Sequence, residues 1–354
     1  MLEGPVLVVG AGLLGTSIAL ALRRRDVDVA LRDVSQENLR IATAVGAASV
    51  DADGIRPELV VVAVPPDHLA EEIAVALRST DAVVTDVGSI KGAPLVAARA
   101  LVDANALSRY VGSHPMAGSE RSGPFAASRA LFDGRPWAVT PHDTADPRSV
   151  ELVTDLAELC GATPVRFTPD EHDEAVARTS HLPHLLAALV AGRLTDAPRS
   201  HLALSGQGVR DVTRVAGGDA GLWQQIISAN TTALSALLLD VRDDVDTLLT
   251  ALSSGDRAPI GAVLNRGVEG TAVIPGKHGA PTGAMSTVFV TIPDHPGELA
   301  RLFADASDIG VNIEDLRIDH DPAREYGLVE ITVAANAADH LLGSLEDRGW
   351  TTHR

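Results

Sequence analysis

Apolar residues come in short runs over the first half of the chain and in helical periods over the middle. Pro5–Val9, Val27–Leu31, Leu59–Val64, Ala82–Thr85 and Tyr110–Val111 are short, mostly apolar runs, and stretches such as Leu14–Arg24 between them read as helices. That alternation predicts a parallel sheet with helices on both faces. Trp137–Thr140, a helix at Leu152–Leu159 and a strand at Thr163–Phe167 complete a Rossmann-type domain over residues 1–168. From 169 to 252 the period is helical throughout. Asp170-Glu-His-Asp173 reads as a helix start, and Pro183 is placed to kink or interrupt the apolar run around it. Large apolar helices beside a nucleotide domain commonly pair two copies, so this region is expected to form a homodimer. Residues 253–285 are rich in glycine and proline, including Pro275-Gly-Lys-His-Gly279, and read as a linker. Beyond it, Ser286–Pro293, Glu298–Ser307, Asn312–Asp319, Leu328–Val333 and Ala337–Arg348 follow a βαββα order, which suggests a ferredoxin-like module over 286–354. The fold class expected is α/β: a parallel sheet, an all-helical middle and a small C-terminal module.

The first strand runs into Gly10-Ala-Gly12-Leu13-Leu14-Gly15, a G-x-G-x-x-G in the context of strand, turn and helix. Gly10 permits the tight turn, Gly12 lets backbone approach a pyrophosphate, and Gly15 lets helix and strand pack closely. The helix that follows offers free N–H groups to phosphate. Asp33, ending the second strand, suits the hydroxyls of an adenosine ribose and points to NAD; Arg32 beside it could instead serve a 2′-phosphate. Ligands bind at the carboxyl ends of strands in such sheets. The loops Val64-Pro65-Pro66, Asp86-Val-Gly-Ser89-Ile-Lys91 and Gly112-Ser-His114-Pro-Met-Ala-Gly118 should therefore share one crevice. His114, read as sitting in a small-residue turn, is well suited to proton chemistry, because imidazole titrates near neutrality.

In the helical region, Thr179-Ser-His181-Leu-Pro-His184 carries two histidines that are either pocket groups or incidental. Arg210-Asp-Val-Thr-Arg214 sets two arginines four residues apart, on one helix face. Such a face is either a solvated salt-bridge stripe or an anion clamp. In the tail, Asp294-His-Pro-Gly297 is a turn into a helix.

Charge narrows the partners. The 354 residues carry 47 acidic against 29 basic side chains, a net charge of −18, and only two lysines, Lys91 and Lys277. No basic run or interleaved aromatic pattern suits nucleic acid. An acidic chain repels anionic ligands, so an anion site must come from locally placed arginines. The single Cys160 excludes a disulfide framework and a thiolate metal cluster, and it reads as a buried core thiol. No apolar stretch approaches the roughly 20 residues of a membrane span, and no leader precedes the first strand, so a cytoplasmic protein is expected.

Taken together, Gly10–Gly15, the Asp86–Lys91 loop, the His114 loop, Ser180-His181-Leu-Pro-His184 and Arg210–Arg214 resemble the prephenate and arogenate dehydrogenase family of tyrosine biosynthesis. The tail resembles an ACT domain through Asp294-x-Pro296-Gly297-x-Leu299 and Gly310-Val-Asn312-Ile313. The resemblance implies NAD-dependent oxidative decarboxylation of prephenate, or of arogenate, without a metal. It implies His114 as the base and Ser89 as the group orienting it. Arg214, with Arg210, His181 and His184, would hold the substrate. Gly10, Gly12, Leu13, Leu14, Gly15, Asp33, Val64 and Pro65 would hold the cofactor. Tyrosine is the implied effector, held by Asp294, Gly297, Asn312 and Ile313.

Overall fold

The computed structural model describes residues 2–117, 123–274, 284–319 and 326–354. Gly118 of the histidine loop and the Pro275–Gly279 stretch lie outside the described residues. The chain divides into two compact units, Met1–Gly261 and Ala262–Arg354.

The first unit opens on four parallel strands, β1 (Val6–Val9), β2 (Val29–Arg32), β3 (Leu59–Val62) and β4 (Val83–Asp86), in the order β2-β1-β3-β4. Parallel neighbours require crossovers, here the helices Leu13–Arg23, Gln36–Ala44 and Leu69–Ser79. Helices on both faces explain why these strands are apolar at nearly every position. Val6, Val8, Leu59 and Val61 enter one core cluster, while Leu7, Val60, Val62 and Val84 enter another.

A parallel bridge between Val84 and Tyr110 carries the sheet onward to β5 (Gly112–Pro115), β6 (Pro136–Thr140) and β7 (Thr163–Arg166). Here the structure corrects the sequence reading. The fifth strand lies at Gly112–Pro115 rather than Tyr110–Val111, it runs antiparallel to β6, and His114 sits within it opposite Ala138. Gly-Ser-His-Pro is a poor strand sequence, so pairing and packing impose the conformation. A side chain at Gly112 would approach Thr140 Oγ1 to 2.7 Å, and that hydroxyl instead donates to the Gly112 carbonyl at 2.9 Å.

The helical region follows, with its first helix, Pro169–Val176, capped reciprocally by Thr168 and Glu171. A π-turn at Ala177–His181 precedes the helix Leu182–Gly192, which takes Pro183 into its first turn. The proline thus interrupts the run where its missing N–H is tolerated. The arginine pair is split: Arg210 lies in the helix Gln207–Thr213, while Arg214 opens the tighter turn Arg214–Gly217. The long helix Thr231–Ser254 ends on Gly255 at φ +74°. The expected linker is helical over Arg257–Ala272. Its Pro259 falls in the first turn, the one place a helix accepts proline, so composition misread it.

The second unit holds β8 (Met285–Pro293), the helix Glu298–Ile309, β9 (Asp315–Asp319), β10 (Tyr326–Ala334), the helix Ala335–Asp347 and β11 (Thr351–His353). Its antiparallel sheet has the order β11-β8-β10-β9, with Val290 paired to Val329. That is a ferredoxin-like βαββαβ arrangement, one strand longer than the sequence suggested. Thr-Thr-His is too short and polar to signal a strand, and its pairing with β8 makes it one. Asn312 and Ile313, expected inside the second strand, precede it. The alternation in β8 and β10 buries Val288, Val290, Ile292, Val329, Ile331 and Val333 under the two helices. Among the described residues no helix is long and apolar enough to cross a membrane.

Candidate active site

The glycine loop is shaped by close approach. Gly10 has φ +106°, and a Cβ there would lie 2.3 Å from the Ala63 carbonyl oxygen. A Cβ on Gly15 would meet the Gly10 carbonyl at 1.9 Å, whereas one on Gly12 would meet nothing within 4 Å. Gly12 is therefore the position whose open side faces away from protein, as backbone must where a pyrophosphate passes. Leu13 and Leu14 begin the helix whose N-terminus points there. Asp33 accepts hydrogen bonds from the amides of Ala11, at 2.5 Å, and Ser35, at 2.6 Å, which fixes its carboxylate at the mouth of the loop. Half-buried Val64 and exposed Pro65 follow β3 on the same edge. These residues fit a dinucleotide, with Asp33 suited to ribose hydroxyls.

At the carboxyl edge of β5, His114 is buried and its Nδ1 lies 2.9 Å from Nε2 of His172. Nδ1 of His172 is in turn 2.8 Å from the Asp173 carboxylate. That carboxylate caps the helix Gly92–Leu101, accepting from the amides of Lys91 at 2.9 Å and Gly92 at 2.8 Å. The Asn230 side chain donates to the Asp173 carbonyl at 2.7 Å and lies 3.2 Å from Nδ1 of His181. His184 stacks on Trp223 with ring centroids 3.6 Å apart, and the indole meets His181 edge-on at 6.2 Å. The Arg214–Gly217 turn packs against the helix carrying His184, which brings Arg214 toward this cluster. Arg210 and Arg214 are both exposed.

Burial pushes the His114 imidazole well below its usual range, and neighbouring His172 and Lys91 push the same way. His181 is lowered to about 4, chiefly by burial, and burial also lowers His184. Protonation is disfavoured at all three, so His114 favours the neutral imidazole.

Beneath β5 lies a second buried group. Lys91 Nζ contacts Asp86 and donates to the Ser113 carbonyl at 2.7 Å. The Tyr110 hydroxyl donates to the same carboxylate at 2.7 Å, and the Ser113 hydroxyl donates to the Asp86 carbonyl at 2.9 Å. This network locks the backbone on the N-terminal side of His114 to β4.

Several of these partners escaped the sequence reading. His172, rather than Ser89, supplies the hydrogen bond at Nδ1 of His114, and Ser89 is half-buried in the loop leaving β4. In the sequence His172 and Asp173 read only as part of a helix start, and nothing there points to Trp223. No spacing rule links His172 to His114 across 58 residues; the link exists because the helix Pro169–Val176 packs beside the sheet.

A glycine loop open for close backbone approach, a carboxylate suited to ribose hydroxyls and a buried histidine on one sheet edge fit a nicotinamide-dependent dehydrogenase. The chain belongs to the prephenate dehydrogenase family. Its residues 18–166 match the profile of the prephenate dehydrogenase nucleotide-binding domain, and residues 168–266 that of the family's dimerization domain. It is 38% identical to the probable prephenate dehydrogenase NovF of Streptomyces niveus, covering 97% of this chain and 98% of that one. The prephenate dehydrogenase of Aquifex aeolicus, solved with hydroxyphenyl propionate and NAD+, superposes with a TM-score of 0.69 at 24% identity, over 77% of this chain and 99% of that one. Synechocystis arogenate dehydrogenase superposes with a TM-score of 0.64 at 27% identity, over 75% and 98%.

Proposed function

We propose that this chain catalyses the NAD-dependent oxidative decarboxylation of prephenate to 4-hydroxyphenylpyruvate. The observation that carries the reading is His114: a buried, neutral imidazole at the carboxyl edge of a dinucleotide-binding sheet. NAD, when bound, supplies the acceptor for the hydride that leaves C4 of the ring. His114 takes the proton from the 4-hydroxyl at Nε2, the nitrogen not committed to His172. Loss of CO2 then makes the ring aromatic, which supplies the driving force and renders the step effectively irreversible. Ser89 would meet the substrate hydroxyl from the β4 loop. Arg214 and Arg210 would receive carboxylate, and His181 and His184 would line the pocket.

Turnover of prephenate and arogenate, measured side by side as NADH formation, tests the reading. Prephenate is expected to be the faster substrate. A preference for arogenate would overturn the assignment in favour of the reaction named for the Synechocystis relative.

Arg214→Ala is expected to raise KM for prephenate by about 10- to 150-fold with kcat largely retained. A hydrogen bond to a charged group contributes about 1.5–3 kcal/mol, and each 1.4 kcal/mol is about tenfold. A loss of NAD affinity instead would assign the arginine to the cofactor site.

The same reading includes a homodimer acting in the cytoplasm. The helix Thr231–Ser254 exposes Val245, Leu249 and Leu252, which its helical period sets on one face, a surface suited to a second copy.

It also includes feedback by tyrosine at the second unit, between Asp294, Gly297, Asn312 and Ile313. Gly297, at φ +99°, opens the N-terminus of the helix Glu298–Ile309, where backbone N–H groups can receive a carboxylate. Asn312 is exposed nearby in sequence and donates to Glu314 at 2.6 Å. Coupling between sites typically changes affinity about 5- to 150-fold. Truncation after Ala284 is expected to preserve turnover and abolish inhibition by tyrosine. Equal inhibition of the truncated chain would place tyrosine in the active site instead.

A further inference from the structure

Nothing in the base assignment says why His114 should present a lone pair to the substrate rather than an N–H. A neutral imidazole carries one proton, and the hydrogen bond at one nitrogen decides where it sits. We infer that Asp173 is the positioning residue for both pocket histidines: its carboxylate leaves His114 bare at Nε2, and its carbonyl leaves His181 protonated there. The inference rests on the proposed reaction and extends it to the placement of protons.

The first arm runs through the side chain. Ionised Asp173 can only accept, and it is already held by two backbone amides at the start of the helix Gly92–Leu101. Its contact with His172 therefore requires a proton on His172 Nδ1. With its single ring proton at Nδ1, His172 holds a lone pair at Nε2, which lies 2.9 Å from Nδ1 of His114. The proton of His114 must occupy Nδ1 to make that bond, and Nε2 is left as the acceptor.

The second arm runs through the main chain. The Asp173 carbonyl can only accept, so it fixes which atom of the Asn230 amide is nitrogen. The second N–H of that amide faces Nδ1 of His181, which must hold a lone pair. Neutral His181 therefore carries its proton at Nε2. That atom is fully buried and has no hydrogen-bond partner among the described residues, so a donor is left over for an oxygen of a bound ligand. The low affinity of His181 for a second proton agrees, because an N–H at Nδ1 would confront the Asn230 donor. One residue thus gives two neighbouring histidines opposite faces.

The test is a long-range proton–nitrogen correlation spectrum of the full chain labelled with 15N-histidine, recorded with NAD bound. Spectra of His114→Asn and His181→Asn supply the assignments. In the wild-type protein, His114 is expected to be protonated at Nδ1 and His181 at Nε2. In Asp173→Ala the His114 pattern is expected to move toward Nε2 protonation while His181 stays as it was, since the carbonyl arm survives. In the same variant kcat should fall about 10- to 100-fold, less than the roughly 10²–10⁴-fold that a general base contributes because the base itself is still present, with KM for NAD little changed. A wild-type spectrum with the His114 proton at Nε2 overturns the inference whether or not the variant folds. So does an Asp173→Ala spectrum in which His114 is unmoved. Failure of the wild-type enzyme to turn over prephenate would count against the proposed reaction alone, because the spectra report proton positions without turnover.

Discussion

His114→Asn lowers kcat by about 10²–10⁴-fold and leaves KM for prephenate and NAD within a few-fold of the parent, the expected signature of a lost general base. Asparagine keeps a polar group at the strand position opposite Ala138 but offers no nitrogen that can take a proton. The pH profile separates this from a folding defect. A base works only when unprotonated, so activity falls as pH drops through its pKa. Burial holds His114 well below the usual imidazole range. The acid limb of kcat should accordingly lie on the acid side of free histidine, leaving kcat flat across neutral pH. In His114→Asn that limb should vanish from the residual activity. An unchanged limb in the variant, or retained kcat with weakened NAD binding, would assign the proton transfer to another group.

The sequence carried the dinucleotide half because its signals are local. Gly10 and Gly15 are fixed by contacts within a few residues or with the adjoining strand, Gly12 lies between them in the same motif, and β1–β4 are apolar runs because both faces are covered. The helical middle was legible for the same reason, down to the interruption at Pro183. What escaped depends on partners far along the chain. Gly112–Pro115 becomes a strand through β6, and Thr351–His353 through β8, against their own composition. The helix Arg257–Ala272 was hidden by glycine and proline that its first turn and exposed face accommodate. In the site, His114 was visible as a motif, whereas its orientation was not. The groups that aim it come from residues 172 and 173, brought to the sheet by helix packing. A sequence shows which residue can do proton chemistry more readily than which nitrogen of it will.

Lys91→Met is expected to cost about 3–5 kcal/mol of stability, the penalty for breaking a buried ion pair from one side. Lys91 and Asp86 are 1% and 0% exposed, so water cannot replace the ammonium. Burial lowers the lysine's affinity for its proton, while the Asp86 carboxylate opposes that shift. Methionine matches the aliphatic stem and leaves the carboxylate, among the described residues, with the Tyr110 hydroxyl and the Gly88 amide. For a unit of this size, 1 kcal/mol moves Tm by about 2–4 °C, so a fall of roughly 6–20 °C is expected in thermal unfolding. Asp86→Asn added to Lys91→Met should recover part of it, because the second change removes the unpaired charge rather than a contact. The double variant should still lose turnover. The Lys91 bond to the Ser113 carbonyl, one residue from His114, is missing in both proteins. A Lys91→Met enzyme within about 1 kcal/mol of the parent would mean that the pair is screened like a surface salt bridge. The strand under His114 would then be held by its ladder and by Ser113 alone.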